Sequence, residues 1–418
     1  MSGNVTRNLT CGLALTAFCM SAAVAGTGTT APDYYRRARY AETAEKQIEL
    51  LTTALSINPD HVPSLRRRAE VHLLLGDQAS ALADRARAAE LSPRDPQLNI
   101  SAGLLAQELD RHEQAVALYT RALAVEPNNY LARVNRAYAR IELRRVKQAI
   151  EDADELVRLY PQRDRSYQVR VEAYDCASRF ADAVDDLTTL IERSPREALY
   201  YRMRCISYRA LGEGRKALAD ADTTLRLAGG TAGAYAARGC SYELLGELDK
   251  AFADYKRAAE LNDDKRFYTI WLCLIRRKQG RRAEADKIVR NFLEDFDEEK
   301  WIAPVLRFLA GRITEQDVLS RAEHPEPERD REQHCEAYYY LGAAAMAEGK
   351  LDKAEAYFKK CVDQGVYNFY EHGFALRDLR VLAELRKKKA ADKEDEAARP
   401  EPETDQPGQP GSAQPPAP

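Results

Sequence analysis

The chain has 418 residues, enough for two or three ordinary domains and a large buried core. Apolar residues make up 45% and charged residues 31%, with a formal net charge of −3, so charge supplies no case for nucleic acid or an acidic membrane face. The first element in chain order is a leader. Arg7 precedes an apolar run from Cys11 to Ala25 that ends Ala23-Val24-Ala25 before Gly26. A basic start, a short apolar stretch and a small-x-small site predict a secretory signal over 1–25, hence an exported, periplasmic protein. The run is shorter than the ~20 residues that span a bilayer. Neither Cys19, which follows Phe18, nor Cys11 sits in a lipoprotein box.

An internal period sets the fold from there on. Ala81, Ala115, Ala149, Ala183, Ala217, Ala251 and Ala285 recur every 34 residues, and Pro59, Pro93, Pro127, Pro161 and Pro195 keep the same interval. Gly76, Gly212, Gly246 and Gly280 stand five residues before a periodic alanine. A small residue lets two antiparallel helices approach to ~8–10 Å, and proline ends the second helix. This unit resembles the tetratricopeptide repeat (TPR). The resemblance implies an all-α, right-handed superhelix (an α-solenoid) of about eight helix hairpins plus a partial first unit. The partial unit covers 26–61 and the tandem array 62–300. Full units begin at Val62, Pro96, Tyr130, Asp164, Ala198, Ala232 and Arg266, with another near Cys335.

Numbered from those starts, position 7 is Arg and position 23 is Asp in five units: Arg68/Asp84, Arg136/Asp152, Arg170/Asp186, Arg204/Asp220 and Arg238/Asp254. The remaining two carry Ala102/Leu118 and Leu272/Ile288. Both positions are charged or neither is, which predicts semi-buried structural ion pairs across each hairpin. A functional stripe of arginines is the weaker reading.

After residue 300 the period breaks. Trp271-Leu272, Trp301, Gly311-Arg312-Ile313-Thr314 and Asn368-Phe369-Tyr370-Glu371-His372 occur in a succession similar to NlpI-type TPR adaptors of the bacterial envelope. That resemblance, over 267–384, implies a periplasmic scaffold, commonly a homodimer, that docks an envelope protease together with cell-wall hydrolases. The expected organisation ends with NlpI-like helices and a final TPR at 301–384, then a disordered Pro-rich tail at 385–418. The missing lipobox, the longer array and the tail depart from that pattern.

Catalytic chemistry finds no support. The six histidines form no paired ligand spacing, and P-loop, GxSxG and dinucleotide motifs are absent, so no enzyme, metal, cofactor or small-molecule substrate is expected. Cys335 and Cys361 fall at neighbouring ends of the last hairpin, where a bridge or two buried thiols both fit. The face available for binding is that of the first helices at positions 2, 5, 9, 12 and 13. These positions give an apolar strip (Ile100, Leu104, Leu131, Val134, Tyr138, Ile141) beside a mixed charged strip (Arg165, Gln168, Arg202, Arg209). Anchors beside a polar rim suit a protein or peptide partner; ordinary helix packing suits the apolar members equally. The expected function is an exported scaffold or adaptor that binds proteins or peptides, presenting substrates to an envelope protease. The alternative is a structural assembly factor for an envelope or secretion complex.

Overall fold

A computed structural model describes residues 30–262, 265–294, 300–366 and 369–397. The expected leader, and the tail from 398 onward, lie outside them. Among the described residues there are helices and no strands. The chain divides into two compact units, one through Leu109 and one from Asp110. The first unit holds α1 (Ala31–Ala38), α2 (Ala44–Ile57), α3 (Val62–Leu74), α4 (Gln78–Leu91) and α5 (Pro96–Glu108).

The second unit opens with α6 (His112–Val125), α7 (Tyr130–Glu142), α8 (Val146–Leu159), α9 (Asp164–Cys176) and α10 (Phe180–Arg193). It continues with α11 (Ala198–Ala210), α12 (Gly214–Ala228), α13 (Ala232–Leu244), α14 (Leu248–Glu260), α15 (Arg266–Lys278) and α16 (Arg282–Leu293). From α8 to α14 each second helix packs on its own first helix and on the first helix of the next hairpin, while α7 touches α9 and α11 touches α13. The seven periodic helices begin at the residues the 34-residue register marks.

The periodic alanines are the contact points of the hairpins. All seven, Ala81 through Ala285, are fully excluded from solvent. Position 8 is tight for the same reason. A Cβ placed on Gly342 would lie 2.7 Å from the Phe358 ring, and one on Gly239 would lie 3.3 Å from Tyr255. The hairpin turns show the fold overriding local preference. Gly76, Gly212, Gly246 and Gly280 have φ between +74° and +79°, and Asp110, Arg144 and Ser178, at the same place in the 34-residue period, are also forced to φ near +56°. Glycine adopts this region freely, whereas a side chain there costs roughly 1–2 kcal/mol.

All five charged hairpins carry the expected pair, and each is bidentate. Arg170 Nε and Nη2 donate to Asp186 at 2.7 and 2.6 Å, and the other four show the same fork at 2.6–2.9 Å. The aspartates are 2–6% exposed. Each arginine also spends its remaining nitrogen on the preceding unit: Arg68 on Thr52, Arg136 on Thr120, Arg170 on Asp154, Arg204 on Thr188 and Arg238 on Asp222. In the sequence, the residue sixteen before Ala102 is Ala86, so the triplet is absent as a whole where its arginine is absent. The ion pairs therefore tie neighbouring repeats as well as closing single hairpins.

Beyond α16 the hairpins are interrupted by short α17 (Ala303–Leu309) and α18 (Glu315–Ala322). A 21-residue α19 (Pro327–Ala347) and α20 (Leu351–Asp363) then rebuild a hairpin, with α19 starting eight residues ahead of Cys335. Cys335 and Cys361 meet there with sulfurs 3.4 Å apart, both fully buried and unbonded. The final helix α21 (Tyr370–Ala397) continues past residue 385, where the tail was expected to begin. Its Ala-, Lys- and Glu-rich sequence favours helix, and Arg386 is held by Asp352 and Glu355 of α20. This helix also reaches α11: Arg380 donates to the Ala210 carbonyl and lies over the Phe180 ring.

Candidate functional site

The residues expected to bind a partner divide by burial. In the N-terminal unit, Ile100 is 3% exposed and Leu104 is half-buried. In the C-terminal unit, Val134 packs in a core with Ala137, Leu156 and Val169, so position 5 belongs to the stack here rather than to a surface. Ile100 and Val134 thus line no open groove. Leu131 is 47% exposed, and Tyr138 and Ile141 are half-buried beside it. Leu131, Tyr138 and Ile141 form the apolar part of an accessible face on α7.

The polar part lies on α9. Tyr138 donates to Glu172 at 3.2 Å, and the Arg165 guanidinium covers the Tyr138 ring at 4.8 Å. Gln168 accepts from Arg165 and donates to the Tyr200 hydroxyl at 2.9 Å. Burial, assisted by the Tyr138 contact with Glu172, pushes the Tyr138 phenol well above its usual range. Below them Asp175 has one carboxylate oxygen without a hydrogen-bond partner. Burial and the neighbouring Glu172 push Asp175 up to about 7. An apolar strip therefore abuts a charged one across α7 and α9.

The same register leads to a cavity further along. Positions 5, 9 and 12 of α11 (Arg202, Ile206, Arg209) form one wall, and Gly233, Ala236 and Cys240 of α13 leave the floor open. Phe267, Tyr268 and Trp271 of α15 face it, and Glu336 and Tyr340 of α19 close the far side. Phe369, Glu371 and Phe374 at the start of α21 roof it. The cavity is half open and its volume is about 510 Å³, within the ~300–1,000 Å³ of ordinary ligand pockets. Arg202 is exposed at its edge, as expected of a rim. Arg209 is not a rim residue. It is 7% exposed, pressed against the Phe374 ring at 5.0 Å, because α21 covers this part of α11.

Two carboxyl groups mark the far end. Glu336 accepts from the Trp301 indole at 2.5 Å, and Glu371 accepts from Tyr340 at 2.7 Å. Burial, reinforced by the Glu371 charge, pushes Glu336 up to about 8, and burial also raises Glu371. Behind the cavity Glu243 behaves oppositely. Its burial disfavours charge, yet Lys278 at 2.5 Å and Arg377 overcome that and hold it down at about 2. Tyr255 donates to Glu243 at 3.0 Å, and Arg377 pairs with Asp378 at 2.6 Å. The carboxyl pair and the roof were not foreseen; the run of small residues at positions 2 and 5 of α13 was the available signal.

Among the described residues no group of three or more His, Cys, Asp or Glu side chains is arranged to hold a metal ion. No described helix is long and apolar enough to cross a membrane.

Tetratricopeptide repeat models match residues 100–164, 232–265 and 336–364. Among solved structures, the chain is similar to a tetratricopeptide repeat protein from Parabacteroides merdae, at 20% identity over 59% of this chain and 98% of that one, with a TM-score of 0.41. It is also similar to the thermophilic TPR protein TTC0263 from Thermus thermophilus, at 26% identity over 43% of this chain and 98% of that one, with a TM-score of 0.35. YrrB, described as a TPR protein with an unusual peptide-binding site, matches at 17% identity over 43% of this chain and 93% of its own, with a TM-score of 0.38. Residues 100–164, 232–265 and 336–364 of this chain are tetratricopeptide repeats, set in a fold of stacked helix hairpins.

Proposed function

We propose that this protein is a non-catalytic scaffold that holds other polypeptides on the face its first helices present. The observation that carries this reading is the α7–α9 surface. Exposed Leu131 and half-buried Tyr138 supply apolar anchors, while Arg165, Gln168 and Glu172 give directional polar contacts beside them. Such an anchor-and-rim pattern is what protein interfaces use. The signal-like leader and the NlpI-like succession from Trp271 to His372 support a finer reading. In it the mature chain starts near Gly26, works in the periplasm as a homodimer and presents substrates to an envelope protease with cell-wall hydrolases. A structural role in assembling an envelope or secretion complex is the second reading; the ion pairs that tie five of the hairpins to their neighbours favour it.

Affinity purification of the tagged protein from envelope extract separates the two readings. A protease with hydrolases supports the first, and secretion subunits the second. Leu131→Ser and Tyr138→Ala should each weaken capture by ~1–3 kcal/mol, the range of an interface hot spot. Leu131 is the cleaner probe because its exposure makes the substitution harmless to folding. Unchanged capture by both variants would remove this face from the function.

A further inference from the structure

The aromatic cavity contains a feature that a peptide-binding face does not explain. Arg209 makes no hydrogen bond or ion pair among the described residues; its Nε is buried without an acceptor, and the side chain lines the cavity. A guanidinium stays charged at any physiological pH, and burying one unpaired is costly. Each arginine at position 7 of its hairpin has a carboxylate within 3 Å. Arg209 has only the face of Phe374.

We propose that this cavity binds a small carboxylic acid with an aromatic body, its carboxylate on Arg209 and its ring against Phe267, Tyr268 and Trp271. A planar guanidinium matches a carboxylate with two parallel donors. The apolar majority of the wall takes the body, and Gly233 and Ala236 provide the room. At the opposite end burial pushes Glu336 up to about 8 and raises Glu371 as well, which lessens the negative charge they set against an acid. A volume of about 510 Å³ suits a free small molecule better than a long peptide.

The test uses the full chain and its two tryptophans. Trp271 lines the cavity and Trp301 donates to Glu336, so intrinsic fluorescence reports occupancy. The probes are 3-phenylpropionate, 3-phenylpropanamide, 3-phenylpropylamine and acetyl-Gly-Gly-Phe with a free C-terminus. The acid should bind at least ~10-fold more tightly than the amide, the worth of a charge-assisted hydrogen bond. Arg209→Gln should erase that preference while Arg215→Gln, at an exposed arginine of α12 outside the cavity, keeps it. The acid should raise the Tm of the wild type and leave that of R209Q unmoved, and circular dichroism verifies that R209Q is folded. Equal binding of acid and amide, preference for the amine, or no binding would overturn the inference. Binding of the peptide alone would also overturn it, showing a site for chain ends, and would leave the scaffold reading standing.

Discussion

Arg170→Ala should destabilise the protein by ~3–5 kcal/mol, and the double change Arg170→Ala with Asp186→Leu should recover most of that loss. The expectation follows from burial. The Asp186 side chain is 7% exposed and that of Arg170 20%, with two hydrogen bonds of 2.7 and 2.6 Å between them. Burial pushes Asp186 up while Arg170 pulls it back, and Arg170 itself is held firmly charged by Asp186. Removing one member leaves a buried carboxylate without its counter-charge, which costs several kcal/mol; replacing both with apolar groups is often nearly neutral. The sequence carries such a neutral solution in Ala102 and Leu118 at the equivalent positions. Asp154, 51% exposed, loses a partner at little cost because water replaces it. A double-mutant cycle read by urea unfolding measures the coupling. Additive effects with no recovery would show that the pair contributes nothing as a pair.

Stability should also fall as pH rises from about 5 to about 8, and Glu336→Gln should flatten that fall. In the unfolded chain Glu336 loses its proton near 4.5, whereas in the folded protein burial holds it up to about 8. Between those values the folded state binds more protons, so raising the pH favours unfolding. The groups that act on Glu336 are Glu371 and Glu332, which raise it, and Arg266 and the Trp301 indole, which lower it. Each pK unit is worth about 1.4 kcal/mol, and partial solvation reduces the sum to roughly 2–4 kcal/mol. Asp175 titrates in the same direction, so the difference between variant and wild type is the quantity to compare. Parallel pH profiles for the two proteins would show that Glu336 is not held protonated.

The repeat architecture was legible because its determinants are local and periodic. Ala81 to Ala285 fix the hairpin contacts, and Arg and Asp at positions 7 and 23 are sixteen residues apart in every pair. Such spacing survives as a pattern in one dimension. The third partner of each arginine was equally periodic, yet Thr52, Thr120 and Thr188 alternate with Asp154 and Asp222, so hydroxyls and carboxylates share one structural role. What escaped the sequence depends on the return of the chain. Arg209 reads as a groove rim until residues 369–374 cover it, and nothing near Arg209 in sequence announces that contact across more than 160 residues. Glu336 and Glu371 look like surface charges on helices until the fold brings them to one cavity. Val134 was ambiguous in kind, since position 5 serves packing in one unit and Arg202 at the rim in another.

The central claim is that the first-helix face holds polypeptide partners, and site-specific photo-crosslinking tests it most directly. A benzophenone side chain is placed in turn at Leu131 and Arg165 on that face, and at exposed Glu192 on the second helix α10. The protein is then irradiated in the cells that produce it. The account predicts covalent polypeptide adducts from 131 and 165 that excess unmodified protein suppresses, with little from 192. Adducts from 192 alone, or equal labelling at all three positions, would contradict it.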